Sequence, residues 1–225
     1  MNHAQPGDTL AARTHIAIVL DRSGSMDSIR DDVVGGFNAF LTSQQAVEGE
    51  ATLTLVQFDS QDPYEVLFDH APLDAVRALG PQDFVPRGCT PLLDAVGRTL
   101  LATELWLAQQ SADTRPEQTI FVVITDGQEN ASREFNLARV RSLIQAKEAL
   151  GWQVVFLSAD LGAFNEAGDL GIAEAKRVMF SKDADGNREM FQRTSLKVAA
   201  MRRREVNDIG YDDADRDAMG GKPVN

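Results

Sequence analysis

The sequence predicts an α/β domain: a doubly wound, mostly parallel central sheet flanked by helices, with one short antiparallel edge strand. Short apolar runs rich in Ile, Val and Phe recur at residues 16–20, 119–124 and 152–157. Runs of this length bounded by turn residues read as buried strands. Between them lie segments with apolar residues at helical spacing. Such alternation builds a parallel sheet, because parallel neighbours need a crossover long enough to hold a helix.

Taken in order, residues 16–20 (Ile-Ala-Ile-Val-Leu) form the first strand. A helix is expected from Ile29 to about Val47, with Val33, Val34, Phe37, Phe40 and Leu41 on its apolar face. The Gly35-Gly36 pair inside it lowers helix propensity and points to close packing against a neighbour. Residues 52–58 alternate like a strand, and residues 64–68, after the Asp62-Pro63 turn, read as the edge strand. A helix over 92–107 follows, with Pro91 suited to its first turn, and then the strand 119–124. Helix 134–150 ends at Gly151, and strand 152–157 comes next. A short helix over 164–171 and a last strand over 176–180 complete the alternation.

Asp183-Ala184-Asp185-Gly186-Asn187 has the composition of a calcium loop. Arg188 stands where that loop needs Gly and Thr194 where it needs Glu, so the segment reads as a turn into the final helix. That helix is expected from Arg188 to about Glu205, with Phe191, Thr194, Val198 and Met201 on one face. Arg202, Arg203 and Arg204 read as solvated cations favoured at a helix C-terminus. Residues 1–12 are expected to be flexible and 13–205 to form one domain. Residues 206–225, acidic and Gly-rich, are expected to be a disordered tail.

Composition narrows the function. With 43% hydrophobic residues in 225, the chain can bury one sizeable core. The 34 acidic and 22 basic residues give a net charge of −12, which argues against nucleic acid and anionic membrane surfaces as partners. Cys89 is the single cysteine, so no internal disulfide framework forms and a reducing compartment is expected. No apolar run approaches a membrane span, and the first residues lack a signal-type apolar segment; a cytoplasmic location is the expectation. His3, His15 and His70 show no zinc-ligand spacing.

Asp21-Arg22-Ser23-Gly24-Ser25-Met26 directly follows the first strand. It puts a carboxylate and two hydroxyls at alternate positions on the C-terminal edge of the sheet, where ligands of open α/β sheets bind. Three hard oxygen donors there suit a small hard cation, Mg2+ above all. The same residue types also serve any strand-to-helix turn. Two later segments favour the first reading. Arg87-Gly88-Cys89-Thr90-Pro91-Leu92 places a hydroxyl at the head of a helix, and the strand over 119–124 runs into Thr125-Asp126-Gly127. Asp21 and Asp126, ending neighbouring parallel strands, can face one cation; unpaired, they would repel and one pKa would rise.

The order Asp-x-Ser-x-Ser, Thr-Pro-Leu, then a strand ending Thr-Asp-Gly resembles the von Willebrand factor A-like family and its metal-ion-dependent adhesion site. The likeness runs over roughly residues 13–205 and is nearest to stand-alone bacterial and phage members. Cys89 departs from the pattern where members often carry a second Gly. The resemblance implies that Asp21, Ser23, Ser25 and Thr90 ligate the ion, Mg2+ or else Mn2+ or Ca2+, with Asp126 acting directly or through water. It implies a binding module that captures an Asp or Glu of a protein partner through the metal. An ATPase or a stress-response component is the kind of partner expected. The alternative is a Mg2+-dependent phosphatase or phosphotransferase of the haloacid-dehalogenase type. Such enzymes carry Asp-x-Asp at the first motif, where this chain has Ser23. A dinucleotide-binding role would want a G-x-G-x-x-G run, and only Gly24 is there.

Overall fold

A computed structural model describes residues 12–221; the flexibility expected of residues 1–12 falls, but for Ala12, outside them. The strands are β1 (Thr14–Asp21), β2 (Ala51–Phe58), β3 (Glu65–Pro72), β4 (Gln118–Thr125), β5 (Gln153–Ser158), β6 (Arg177–Phe180) and the two-residue β7 (Gly220–Gly221). They form one sheet in the order β3-β2-β1-β4-β5-β6-β7. β1, β2, β4, β5 and β6 are parallel, and β3 is the expected antiparallel edge. The helices are α1 (Arg30–Gln45), α2 (Leu92–Gln109), α3 (Leu137–Ala149), α4 (Leu161–Asp169), α5 (Ala184–Arg202) and α6 (Asp213–Ala218).

The strand period of two splits β1 between two cores. Ile16, Ile18 and Leu20 face α1 and α5, where Phe37, Met190, Phe191 and Val198 are buried. Ala17 and Val19 face α2, α3 and α4, where Val96, Leu100, Val140 and Ala163 are buried. With both faces covered, the central strands are apolar without interruption, as the sequence pattern requires. The chain winds from β1 to β2 in one direction and continues from β1's other neighbour, β4, in the other. This topological switch opens a crevice between the C-terminal ends of β1 and β4.

Gly36 explains the glycine pair. A Cβ built there would stand 2.1 Å from Phe191 Cδ2, so α1 and α5 approach too closely for any side chain; Gly35 has open space. α5 starts four residues before the expected Arg188, because Asp183 caps it by accepting the Gly186 N–H at 2.8 Å.

Two expectations at the C-terminal end are corrected. Residues 206–221 are ordered structure rather than a disordered tail; residues 222–225 of the expected tail lie outside the described residues. Ile209, Tyr211 and Met219 are buried. The backbone N–H of Tyr211 bonds to Ala175 O at 2.8 Å, and α6 carries a capping box of Asp212 and Asp215. β7 then pairs antiparallel to β6, a second reversed edge. Low average hydrophobicity hid three anchors, each set where it meets the core. Arg202 is the other correction: it is buried, not solvated. Its guanidinium donates to Gln44 O in the last turn of α1 and to Val47 O and Gly49 O in the turn that follows. That carbonyl-rich helix end is the counter-charge for a buried cation. Arg203 and Arg204 are exposed, as expected.

Candidate metal centre

Asp21 closes β1 and is fully buried. Its Oδ1 accepts the Ser23 N–H at 2.7 Å, and its Oδ2 accepts the Thr125 hydroxyl from the end of β4 at 2.6 Å. Burial pushes its carboxyl up to about 6, against the pull of the Thr125 hydroxyl and the Ser23 N–H; the nearby charge of Asp126 raises it further. Ser23 and Ser25 follow in a tight turn whose hydroxyls lie 3.0 Å apart. Ser25 donates to Asp126 Oδ1 at 2.6 Å. Ser23 Oγ, Ser25 Oγ and Asp126 thus form one hydrogen-bonded row across the crevice between β1 and β4.

Thr90 borders the row beside Gly127. A Cβ on Gly127 would lie 3.6 Å from Thr90 Oγ1 and 3.7 Å from Ser25 Oγ, so both hydroxyls border one point. Pro91 stands at the N-cap of α2, with no side-chain cap, and the helix head is held from outside. Glu129 Oε2 accepts the Leu93 N–H at 2.8 Å, Ser132 Oγ the Asp94 N–H at 3.0 Å, and Asn130 Oδ1 the Thr90 N–H at 2.8 Å. In return, Asp94 accepts the N–H groups of Arg133, Glu134 and Phe135. Glu129 therefore braces the helix before it in sequence. α3 is capped by Asn136.

Residue 22, between two predicted ligands, faces the other way. Arg22 pairs with Asp59 at 2.6 Å and with Glu65. Arg87, from the Thr90 loop, also pairs with Asp59, at 3.0 Å. Burial works against the Asp59 charge, yet the N–H groups of Asp62 and Gln61 and the Arg22 guanidinium hold its carboxyl below the usual range. Backbone bonds from Gly24 N to Gly88 O and from Arg87 N to Arg22 O zip the two loops together. Gly88, at φ +69°, supplies the left-handed turn this needs. Cys89 is exposed, and its N–H bonds to Ser60 Oγ. Position 89 thus shapes the loop through its backbone.

Lys182 is the site residue that sequence reasoning missed. It lies between β6 and α5, and its Nζ is 2.6 Å from Asp126 Oδ2. Fifty-six positions separate it from Asp126 in the chain, so no local pattern marks it.

The arrangement suits a hard cation. All five predicted donors are oxygens, and the Asp126 side chain is fully buried with an Oδ2 that receives no aligned hydrogen bond. A hydroxyl that donates its proton to a carboxylate keeps its lone pairs for a metal. Among the described residues, no three His, Cys, Asp or Glu side chains gather into a metal site. None of the described helices is long and apolar enough to cross a membrane.

No protein-family model and no curated protein sequence matches the chain. Solved structures do. Proximal thread matrix protein 1 from the mussel byssus, with a zinc-occupied MIDAS motif, is 17% identical at a TM-score of 0.61, over 84% of this chain and 46% of that one. A von Willebrand factor type A structure from Catenulispora acidiphila is 14% identical at a TM-score of 0.56, over 84% and 43%. The open conformation of the pilus adhesin SpaC from Lactobacillus rhamnosus GG is 14% identical at a TM-score of 0.62, over 84% and 30%. The chain spans less than half the length of each of these structures. Agreement of backbone over 84% of the residues, together with the sheet order, gives this chain a von Willebrand factor A-like fold.

Proposed function

We propose that Asp21, Ser23, Ser25, Thr90 and Asp126 hold one divalent cation, Mg2+ by preference over Mn2+ or Ca2+. An Asp or Glu side chain of a protein partner then completes its coordination. The observation that carries this reading is the hydrogen-bonded row from Ser23 through Ser25 to Asp126, beside the buried Asp21. When bound, the ion supplies a positive point on the rim that attracts a carboxylate. The protein's part is to hold the oxygens together: Thr125 and the Ser23 N–H orient Asp21, and the 129–132 loop fixes Thr90. The net charge of −12 repels an acidic partner at long range. The partner surface this favours is therefore basic overall, with one acidic side chain at its centre, as an ATPase or stress-response component in the cytoplasm would have to present.

The phosphotransferase alternative gains no support at position 23. Ser23 Oγ bonds to Ser25 Oγ, and no second carboxylate stands there to act on a phosphate ester.

Calorimetric titration of Mg2+ into chelator-treated protein tests the proposal. One saturable site in the wild type, lost in Asp21→Ala and weakened in Thr90→Ala, is expected. A Glu-bearing peptide that binds only with metal, and whose Gln counterpart does not, would support carboxylate capture. Absence of any Mg2+ or Mn2+ binding by the wild type would refute it.

A further inference from the structure

The Lys182–Asp126 ion pair has no role in the ligand set described above. Asp126 Oδ1 is engaged by Ser25, so Oδ2 is the oxygen left to an ion, and that oxygen faces the Lys182 ammonium at 2.6 Å. An ammonium and a divalent cation at one carboxylate oxygen repel each other strongly. The Lys182 side chain is 34% exposed while that of Asp126 is wholly buried. The lysine therefore has room to swing out, and Asp126 has none to follow. The lysine's backbone is anchored on both sides: Ser181 N–H bonds to Met219 O, and Asp183, which caps α5, bonds through its N–H to Ser181 O. The ammonium is thus delivered to the carboxylate by a fixed loop.

We propose that Lys182 is a tethered competitor for the cation. Its ammonium neutralises Asp126, has to leave for a divalent ion to take that carboxylate, and so sets the metal concentration at which the site fills. The inference rests on the metal-binding reading above. Its consequence is an exchange of charge on the rim: each ion bound releases one ammonium into solvent beside it.

The test compares Mg2+ affinity of wild type, Lys182→Met and Arg188→Met by calorimetry. Arg188 is an exposed α5 cation paired with Asp185, and its removal corrects for the general effect of making an acidic protein more acidic. Lys182→Met is expected to bind Mg2+ about fivefold more tightly than wild type, the upper range for a partly exposed ion pair. Arg188→Met should change affinity less than twofold, about the limit for a screened surface charge. Independently, Mg2+ should raise the rate at which an acylating reagent modifies Lys182 in the wild type. Lys197, paired with Asp215, serves as the internal reference. Equal or weaker binding by Lys182→Met, a gain no larger than that of Arg188→Met, or unchanged labelling of Lys182 would each overturn the inference while leaving the metal site standing. No Mg2+ binding in any of the three proteins would overturn both.

Discussion

Asp21→Asn should stabilise the metal-free protein, because the wild type buries a carboxylate whose charge the fold only partly compensates. A rise from 3.8 to about 6 corresponds to a penalty of about 3 kcal/mol for the ionised group at neutral pH. The sign follows from proton uptake. Between the two values the folded state holds more protons than the unfolded one, so stability falls as pH rises. The penalty is absent well below 3.8, reaches about half its size near pH 5, and is complete above about 7. Asparagine fits the same place. Its oxygen accepts the Ser23 N–H, and its amide donates to Thr125, whose hydroxyl turns its proton to Gly127 O, already 3.0 Å away. Urea unfolding in chelator should therefore show Asp21→Asn more stable by up to about 3 kcal/mol at pH 7.5 and by about half of that at pH 5. Mg2+ at a hundred times its dissociation constant adds about 2.7 kcal/mol to the wild type alone, closing the gap. A less stable Asp21→Asn at pH 7.5, or a gap that does not change with pH, would show that burial is not what governs Asp21.

Three further perturbations probe the frame. Gly36→Ala should destabilise by about 1–3 kcal/mol through its clash with Phe191, whereas Gly35→Ala should stabilise by up to about 1 kcal/mol; urea melts of the pair decide. Arg202→Met strips donors from the Gln44, Val47 and Gly49 carbonyls and should lose about 2–4 kcal/mol, while Arg203→Met stays within about 0.5 kcal/mol; equal effects would place Arg202 in solvent. Ending the chain at Glu205 removes Ile209, Tyr211 and Met219 from the core and should lose about 4–9 kcal/mol, read as a large drop in melting temperature; an unchanged melting temperature would mean that the segment packs on nothing.

The strand–helix alternation was legible because each buried strand is apolar on both faces and each helix repeats its apolar face. That Asp21, Ser23, Ser25, Thr90 and Asp126 meet at one sheet edge was legible too, since each stands at or just after a strand end or at the head of a helix. The path of residues 206–221 was not. Tyr211 and Met219 pack against α5 and β6, and nothing local tells a buried tyrosine among aspartates from a solvated one. Arg202 was misread for the same reason: its partners are carbonyls some 155 positions away, and backbone carbonyls carry no sequence signature.

By itself, then, the amino-acid order determined the fold class and which oxygens stand at the sheet's C-terminal edge, because periodicity and turn chemistry act over a few residues. Only the tertiary structure decided how those oxygens are held and opposed. It turned Arg22 away into Asp59 and Glu65, braced Thr90 with Asn130 and the head of α2 with Glu129, and brought Lys182 to Asp126. Each of these contacts joins elements that neighbour one another only after the sheet has closed. Their energy lies in charge and hydrogen-bond geometry across that closure.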